Sequence, residues 1–159
     1  MTGEPASEPA LVLVDADACP VKEEIYKVAF RHGAAVRIVS NAHLRIPAHP
    51  LVERVVVGCG FDAADDWIAE RAGPSSVVVT GDILLADRCL KAGATVIGSN
   101  GKPFTSASIG AAVATRAIMA DLRAGAGEGI GGPAPFSRTD RSRFLSALDE
   151  ALVRLKRRG

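Results

Sequence analysis

The chain has 159 residues, 48% of them hydrophobic and 23% charged, and its formal net charge is only +1. This length indicates one domain, and the hydrophobic content is sufficient for a large core. No apolar run reaches the length of a membrane span, and three cysteines, an odd number, argue against a disulfide framework, so we expect a cytoplasmic protein without a membrane partner.

Short apolar runs bounded by turn residues recur along the chain. Before the first of them, residues 1–10 lack the basic start and apolar centre of a secretory leader and are predicted to be a disordered tail. One domain over 11–159 follows. Alternation of the runs with helical segments predicts an α/β fold with a mostly parallel sheet of about five strands flanked by helices. The predicted strands cover residues 11–14, 35–39, 54–57, 77–80 and 95–98.

Apolar residues at helical spacing predict the helices of this fold. The first four are expected over 20–33, 62–72, 83–92 and 105–124, the last of these capped by Thr105 or Ser106. Cys19 is expected to cap the first helix, a position at which the pKa of a thiol falls. A final amphipathic helix over 139–156 is expected to bury Phe144, Leu148, Ala151 and Leu155.

Carboxylates follow the ends of two predicted strands. Asp15 and Asp17 come after the first strand, and Asp82 comes after the fourth. Because the carboxyl ends of parallel strands meet at one edge of a sheet, these side chains are expected to converge. Burying like charges together is costly unless a cation neutralises them, and carboxylates without thiolate or imidazole neighbours suit Mg²⁺ or Mn²⁺. The sequence therefore predicts a site for one of these ions, shared by Asp15 and Asp82.

Other acids are ambiguous by helical phase. On the helix predicted over 62–72, Asp65 can reach the rim of the sheet, whereas Asp66 points to water. Asp62 and Asp82 also occupy helix N-cap positions, where a carboxylate has a purely structural use. Asp87 lies at the border between the inner and outer faces of its helix.

Two arginines, Arg116 and Arg123, fall on the apolar stripe of the helix predicted over 105–124. An arginine on a core face is costly unless it is paired, so each either forms a buried ion pair or binds a substrate phosphate. Residues 138–159 add seven Lys or Arg against three Asp or Glu. Such a basic segment is either a solvated helix face or a contact for nucleic acid held across a metal centre.

The Asp-x-Asp after the first strand, with the later Gly-Asp-x₄-Asp, resembles the haloacid-dehalogenase-like phosphatases. That resemblance implies a nucleophilic Asp15 and an acid at Asp17, with Asp82 and Asp87 holding Mg²⁺. The family also needs a lysine before its last motif, and residues 41–81 contain none.

A second resemblance covers the chain from about residue 11 to residue 155. The similar strings are Val14-Asp-Ala-Asp-Ala-Cys-Pro20, Asn41 with Arg45-Ile-Pro47, Gly60-Phe-Asp-Ala-Ala-Asp65, Thr80-Gly-Asp-Ile-Leu-Leu-Ala86, Gly131-Gly-Pro-Ala-Pro-Phe136 and Asp140-Arg with Phe144. In these the chain resembles the YaiI/YqxD family, which is grouped by likeness with the PIN and NYN nucleases. The resemblance implies a PIN-like three-layer sandwich whose sheet gathers several acids around Mg²⁺ or Mn²⁺.

Carried over by position, the resemblance assigns four acids. Asp15 is similar to the first PIN acid, and Asp17 stands where PIN domains often have Asn or Asp. Asp65 corresponds to the mid-domain acid and Asp82 to the acid after the fourth strand. NYN-like domains usually carry a further acid two residues after that position, where this chain has Leu84.

We therefore expect a Mg²⁺- or Mn²⁺-dependent nuclease acting on RNA. The residues expected to hold the metal and carry catalysis are Asp15, Asp17, Asp65 and Asp82. The residues expected to bind the substrate are Asn41, Arg45, Arg116 and Arg123. The phosphatase and a non-catalytic, metal-dependent RNA-binding or regulatory module remain as alternatives, and a homo-oligomer is compatible with the sequence.

Overall fold

The centre of the fold is a sheet of five strands in the order β3-β2-β1-β4-β5, all paired in parallel. The computed structural model describes residues 10–16, 19, 21–42, 45–58, 63–111 and 137–158. The strands are β1 (Leu11–Asp15), β2 (Ala35–Ser40), β3 (Val52–Val56), β4 (Ser76–Val79) and β5 (Thr95–Ile97). The predicted α/β class and the five strands are confirmed, and each strand begins and ends within two residues of its expected position.

Helices cover both faces of the sheet and complete three layers. On one face lie α1 (Lys22–His32) and α4 (Arg138–Arg158), and on the other lie α2 (Ala63–Arg71) and α3 (Ile83–Lys91). A further helical stretch over 106–111 begins after Thr105, whose Oγ1 accepts from the backbone N–H of Ser108 at 3.0 Å, as the predicted cap requires. The rest of that predicted helix lies outside the described residues. No helix among those described is long and apolar enough to cross a membrane.

Alternate residues of β1 face opposite layers. Val12 and Val14 pack with α1 and α4, whereas Leu13 packs with α2 and α3, and all three side chains are fully buried. A strand covered on both faces needs an apolar side chain at every position rather than at every second one. This requirement explains the continuous apolar run that made β1 recognisable in the sequence.

Two side-chain contacts show that α4 runs parallel to α1. Arg141 Nη1 lies 2.6 Å from Glu24 Oε2, and His32 Nε2 lies 2.7 Å from Asp149 Oδ1. The hydrogen bond with His32 is the main reason that the pKa of the Asp149 carboxyl is lowered. Because the contacts follow the same order along both helices, α4 begins at the carboxyl edge of the sheet, as α1 does. Only the start of the basic segment therefore lies near the predicted metal site.

The predictions for the outer helices hold in part. In α4 the expected apolar stripe is buried, together with Leu152, which was not predicted. The N-cap of α1 is Val21, which makes no side-chain capping bond, so the prediction that Cys19 caps this helix is wrong. The predicted tail over 1–10 lies outside the described residues except for Ala10.

Two glycines with positive φ differ in what surrounds them. Gly101 has a φ of +84°, and a Cβ there would lie 2.6 Å from the backbone carbonyl carbon of Arg143, in the first turns of α4. Gly33 ends α1 with a φ of +67°, and a Cβ there would meet nothing within 4 Å. Gly101 is therefore a point of close backbone approach, whereas Gly33 serves only the left-handed conformation.

Alanine substitution separates these two requirements. Gly33→Ala is expected to lower the free energy of unfolding by about 1–2 kcal/mol, the cost of the left-handed backbone alone. Gly101→Ala should lose roughly a further 1–3 kcal/mol, because the added methyl group also collides with the backbone of α4. Urea unfolding of both variants measures the difference. Equal losses would contradict the close approach of Gly101 to α4.

Candidate active site

The sheet has a topological switch point between β1 and β4. These strands are neighbours, yet the chain forms β2 and β3 on the far side of β1 before it returns to build β4. In open parallel sheets such a point leaves a crevice beyond the carboxyl ends of the two strands, where ligands usually bind. Asp15 is the last residue of β1, and Thr80 and Asp82 follow β4. Two of the predicted acids therefore border this crevice.

One buried hydroxyl joins the two strand ends. Thr80 Oγ1 donates to Asp15 Oδ2 at 2.8 Å and accepts from the backbone N–H of Asp82 at 3.0 Å. Thr80 is only 3% exposed, so water cannot easily replace these bonds. The hydroxyl thus fixes the carboxylate of Asp15 relative to the start of α3. Sequence reasoning missed Thr80, although a polar residue at the end of an apolar run was a signal for it.

Asp82 has the capping role that the sequence left open. Its Oδ1 accepts from the backbone N–H groups of Leu84 at 2.9 Å and Leu85 at 3.2 Å. These bonds satisfy two of the amides that the first turn of α3 cannot pair internally. Both bonds use Oδ1, and Asp82 Oδ2 accepts no hydrogen bond from any described residue. Capping therefore leaves one oxygen of this carboxylate for a cation.

The two acids of α2 differ as the helical phase predicted. Asp66 is exposed, and its Oδ1 lies 2.9 Å from Arg88 Nη1 on α3. Asp65 is half-buried. Burial raises the pKa of the Cys89 thiol on α3 to about 11, and the negative charge of Asp65 adds to that rise. The start of α2 therefore lies beside α3, because the neighbouring Asp66 reaches Arg88 on that helix.

The described residues supply two carboxylates at the switch point rather than a complete cage. Within the described ranges, no three His, Cys, Asp or Glu side chains lie close enough together to hold one metal ion. Asp15, Asp65 and Asp82, all of which are described, therefore form no three-carboxylate group of this kind. Asp17 lies outside the described residues. Two carboxylates still suit Mg²⁺, which commonly keeps several waters and completes its coordination with substrate phosphates.

Asp87 lies outside this group. Its Oδ2 lies 3.0 Å from Lys91 Nζ, one turn further along α3, and the lysine side chain is largely exposed. A haloacid-dehalogenase-like phosphatase would use Asp87 together with Asp82 as a metal ligand. This surface ion pair engages one oxygen of the Asp87 carboxylate. Asp62, the other possible helix cap, lies outside the described residues.

Glu24 is an acid of the carboxyl edge that sequence reasoning missed. It lies in the first turn of α1 with its side chain only 12% exposed, and Oε2 pairs with Arg141. Its other oxygen, Oε1, is buried without a hydrogen-bond partner in the described part of the chain. Burial raises the pKa of the nearby Cys19 thiol, and the charges of Asp15 and Glu24 add to the rise. Cys19 is thus a neutral thiol at physiological pH, and the expected fall in its pKa is wrong.

The predicted substrate contacts are described only in part. Asn41 is exposed immediately after β2, at the same edge as the two acids. Arg45 is also exposed, four residues further along the connection to β3. Arg116 and Arg123 lie outside the described residues. Leu84 lies in the first turn of α3, at the same edge. Its side chain is 59% exposed, which is unusual for a large apolar residue.

Comparisons with known proteins identify close relatives. Residues 13–154 match the family described as "Uncharacterized BCR, YaiI/YqxD family". A "UPF0178 protein" of Sphingopyxis alaskensis is 75% identical over 147 residues, which cover 92% of this chain and 96% of the relative. Another, from Rhodopseudomonas palustris, is 59% identical over 155 residues, covering 98% and 93%. A third, from a Jannaschia species, is 61% identical over 147 residues, covering 92% and 94%. No solved structure matches the chain.

Substitution of Thr80 tests the link between the strand ends. Thr80→Val keeps the shape of the side chain but removes the hydroxyl, so Asp15 Oδ2 and the Asp82 amide both lose a buried partner. We expect a loss of roughly 1–3 kcal/mol in unfolding free energy and faster hydrogen exchange at the Asp82 amide. Thr80→Ser is the matched control, since it retains the hydroxyl and should keep that amide protected. An unchanged exchange rate in Thr80→Val would show that the hydroxyl does not hold the two ends together.

Proposed function

The chain belongs to the YaiI/YqxD family, and we propose that it is a Mg²⁺- or Mn²⁺-dependent nuclease that hydrolyses phosphodiester bonds, with RNA as its favoured substrate. The observation that carries the proposal is the Thr80 hydroxyl at the switch point, which bonds the Asp15 carboxylate and the backbone amide of Asp82. The likeness of the family to PIN and NYN nucleases supports the same activity. Placement of this chain among PIN-like domains is part of the proposal.

The donors at this edge suit a hard divalent cation. We assign Asp15 and Asp82 as metal ligands, with Asp17 as a third because it follows Asp15 by two residues. A bound ion would lower the pKa of the attacking water and neutralise charge on the leaving oxygen. Asp65, half-buried on α2, is assigned to hold and orient water near the ion.

The remaining residues hold these ligands in place and bind the substrate. Thr80 keeps the Asp15 carboxylate in one orientation, so little side-chain freedom has to be lost on binding. Asn41, Arg45, Arg116 and Arg123 are assigned to the phosphates of the RNA backbone, contacts that would be independent of base sequence and sensitive to salt. Arg141, at the start of α4 beside Glu24, adds a guanidinium group to the same edge.

Cleavage assays on single-stranded RNA test the activity. With Mn²⁺ or Mg²⁺ the chain should cleave RNA, and a chelator should abolish cleavage. Asp15→Asn is expected to reduce turnover by at least about 100-fold, the scale seen when a group that stabilises transition-state charge is removed. Asp66→Asn, whose carboxylate pairs with Arg88 at the surface, is the matched control and should retain activity. Absence of ion-dependent cleavage, or full activity in Asp15→Asn, would contradict the proposal.

Manganese binding separates the two acids of α2. Asp65→Asn should weaken Mn²⁺ binding, because the half-buried carboxylate is assigned to water near the ion, whereas Asp66→Asn should change the affinity little. Electron paramagnetic resonance of free Mn²⁺ measures both affinities, and circular dichroism confirms that both variants are folded. If the two variants bind Mn²⁺ with equal affinity, Asp65 has no part in the site.

A second function, a non-catalytic metal-dependent RNA-binding module, is favoured by the exposed Leu84. This residue stands where NYN-like domains usually carry a further acid, and it is 59% exposed in the first turn of α3. Such a module would bind RNA in the presence of Mn²⁺ without turnover. Leu84→Asp tests whether the absence of a carboxylate at this position is what prevents catalysis. If it is, this variant should cleave RNA more rapidly than the unsubstituted chain. Unchanged inactivity in Leu84→Asp would show that the missing acid is not the cause.

A further inference from the structure

A second concave site lies at the opposite edge of the sheet, where the strands begin. It is a cleft of about 450 Å³ between the first residues of β1 and β2 and the segment that joins α2 to β4. Leu11, Ala35 and Pro74 supply apolar surface, and Arg37 and Arg71 supply two guanidinium groups. A volume of this size falls within the range of sites that bind small molecules.

The cleft is separate from the acidic edge. Leu11, which lines the cleft, is the first residue of β1, and Asp15 is the last. At roughly 3.3 Å per residue, about 13 Å of strand separates them. The three residues between them are fully buried, so no open surface along β1 connects the two sites.

Arg37 is a cation on an inward-facing position of β2. Val36 and Ile38 pack toward α1, so Arg37 lies on the other face, which it shares with Val39 and which α2 covers. Its Nε lies 3.8 Å from Glu53 Oε2 on β3, beyond hydrogen-bonding distance. Within the described residues its one hydrogen bond runs from Nη1 to the carbonyl of Val36 at 3.3 Å. Most of the five guanidinium donors of Arg37 are therefore not used by those residues.

Arg71 is held in position mainly by an uncharged partner. Its guanidinium carbon lies 3.9 Å from the centre of the Trp67 ring, and Nη1 donates to the Trp67 carbonyl at 3.1 Å. The nearest carboxylate oxygen described, Glu70 Oε1, is 3.6 Å away and too distant for a hydrogen bond. Stacking on an aromatic face orients a guanidinium without neutralising its charge.

We propose that this cleft binds a small molecule that carries an oxyanion, either a phosphate or a carboxylate. Arg37 and Arg71 hold the oxyanion, because guanidinium groups match both anions with paired hydrogen bonds. The apolar part of the ligand lies against Leu11, Ala35 and Pro74. A nucleic-acid strand fits less well, since it needs an extended basic track with exposed aromatic platforms rather than one concave cleft. The proposal does not depend on nuclease activity.

The intrinsic fluorescence of Trp67 can report binding in this cleft. It is the only tryptophan in the chain, and it stacks beneath Arg71. Phenyl phosphate and benzoate are suitable probes, because they share an apolar ring and differ in the anion. We expect a probe that binds in the cleft to give a saturable change in Trp67 fluorescence. This change should saturate at a lower concentration than with inorganic phosphate or acetate, which lack the apolar ring. The stronger of the two identifies the preferred anion. Sodium chloride at equal ionic strength should give no saturable change.

Variants locate the probe. Arg37→Gln should weaken binding at least about tenfold, because it removes charge-assisted hydrogen bonds and leaves the stacked pair of Arg71 and Trp67 in place. Arg37→Lys should weaken binding less, since it keeps the charge and loses only the planar fork. Arg88→Gln is the matched control, because Arg88 pairs with Asp66 and does not line the cleft, and binding should be unchanged. RNA cleavage by Arg37→Gln should also be unchanged, which separates this site from the proposed active site.

Several results would overturn the proposal. Absence of a saturable response to every oxyanion, or an equal response to chloride, would show that the cleft is not an anion site. Equal affinity in Arg37→Gln and the unsubstituted chain would show that the probe binds elsewhere. Loss of the response in Asp15→Asn with retention in Arg37→Gln would place the probe at the acidic edge. A short RNA whose binding depends on Arg37, with no response to the small probes, would replace the small molecule by nucleic acid.

Discussion

The parallel pairing of β1 with β2 on one side and β4 on the other is the constraint on which the rest of the architecture depends. A parallel neighbour can be reached only by a crossover that passes over a face of the sheet, so helices cover both faces and the three central residues of β1 are fully buried. Backbone groups at the carboxyl ends of β1 and β4 then lie side by side. Side chains that follow these ends, Asp15 and Thr80, come within hydrogen-bonding distance although they are far apart in sequence.

The direction of α4 decides at which edge of the sheet its basic residues lie. Because α4 runs parallel to α1, Arg141 meets the buried Glu24 at the carboxyl edge, and the basic end of the helix lies toward the opposite edge. The carboxyl edge keeps the carboxylates of Asp15 and Asp82, whereas Arg37 lies where the strands begin. The two acids of the switch point and the two arginines of the cleft therefore lie at opposite edges of the sheet. A net charge of +1 for the whole chain conceals this separation.

Local sequence pattern was sufficient to predict the strands and helices, but it was insufficient to predict the side-chain contacts between them. The strands could be predicted because residues buried on both faces form unbroken apolar runs, and Asp66 could be told from Asp65 because helical phase is a local property. The roles of Thr80 and Glu24 could not be predicted, since their partners come from other elements whose register no local pattern contains. Val21 rather than Cys19 occupies the N-cap position of α1 and makes no side-chain capping bond, and a valine offers no local signal for that position.

In the proposed nuclease, the capping role of Asp82 would link metal binding to substrate binding. Its carboxylate accepts two backbone hydrogen bonds at the start of α3, where the helix dipole offsets part of its negative charge. A carboxylate held in this way attracts a cation less strongly than one without such partners, and Asp15 likewise shares one oxygen with the Thr80 hydroxyl. An ion at this edge would then need further negative charge, which the phosphates of a bound strand supply. By linkage, the ion would raise the affinity for RNA by the same factor by which RNA raises the affinity for the ion. A metal site built from these few, partly hydrogen-bonded carboxylates would in this way bind the ion and the RNA together more tightly than the ion alone.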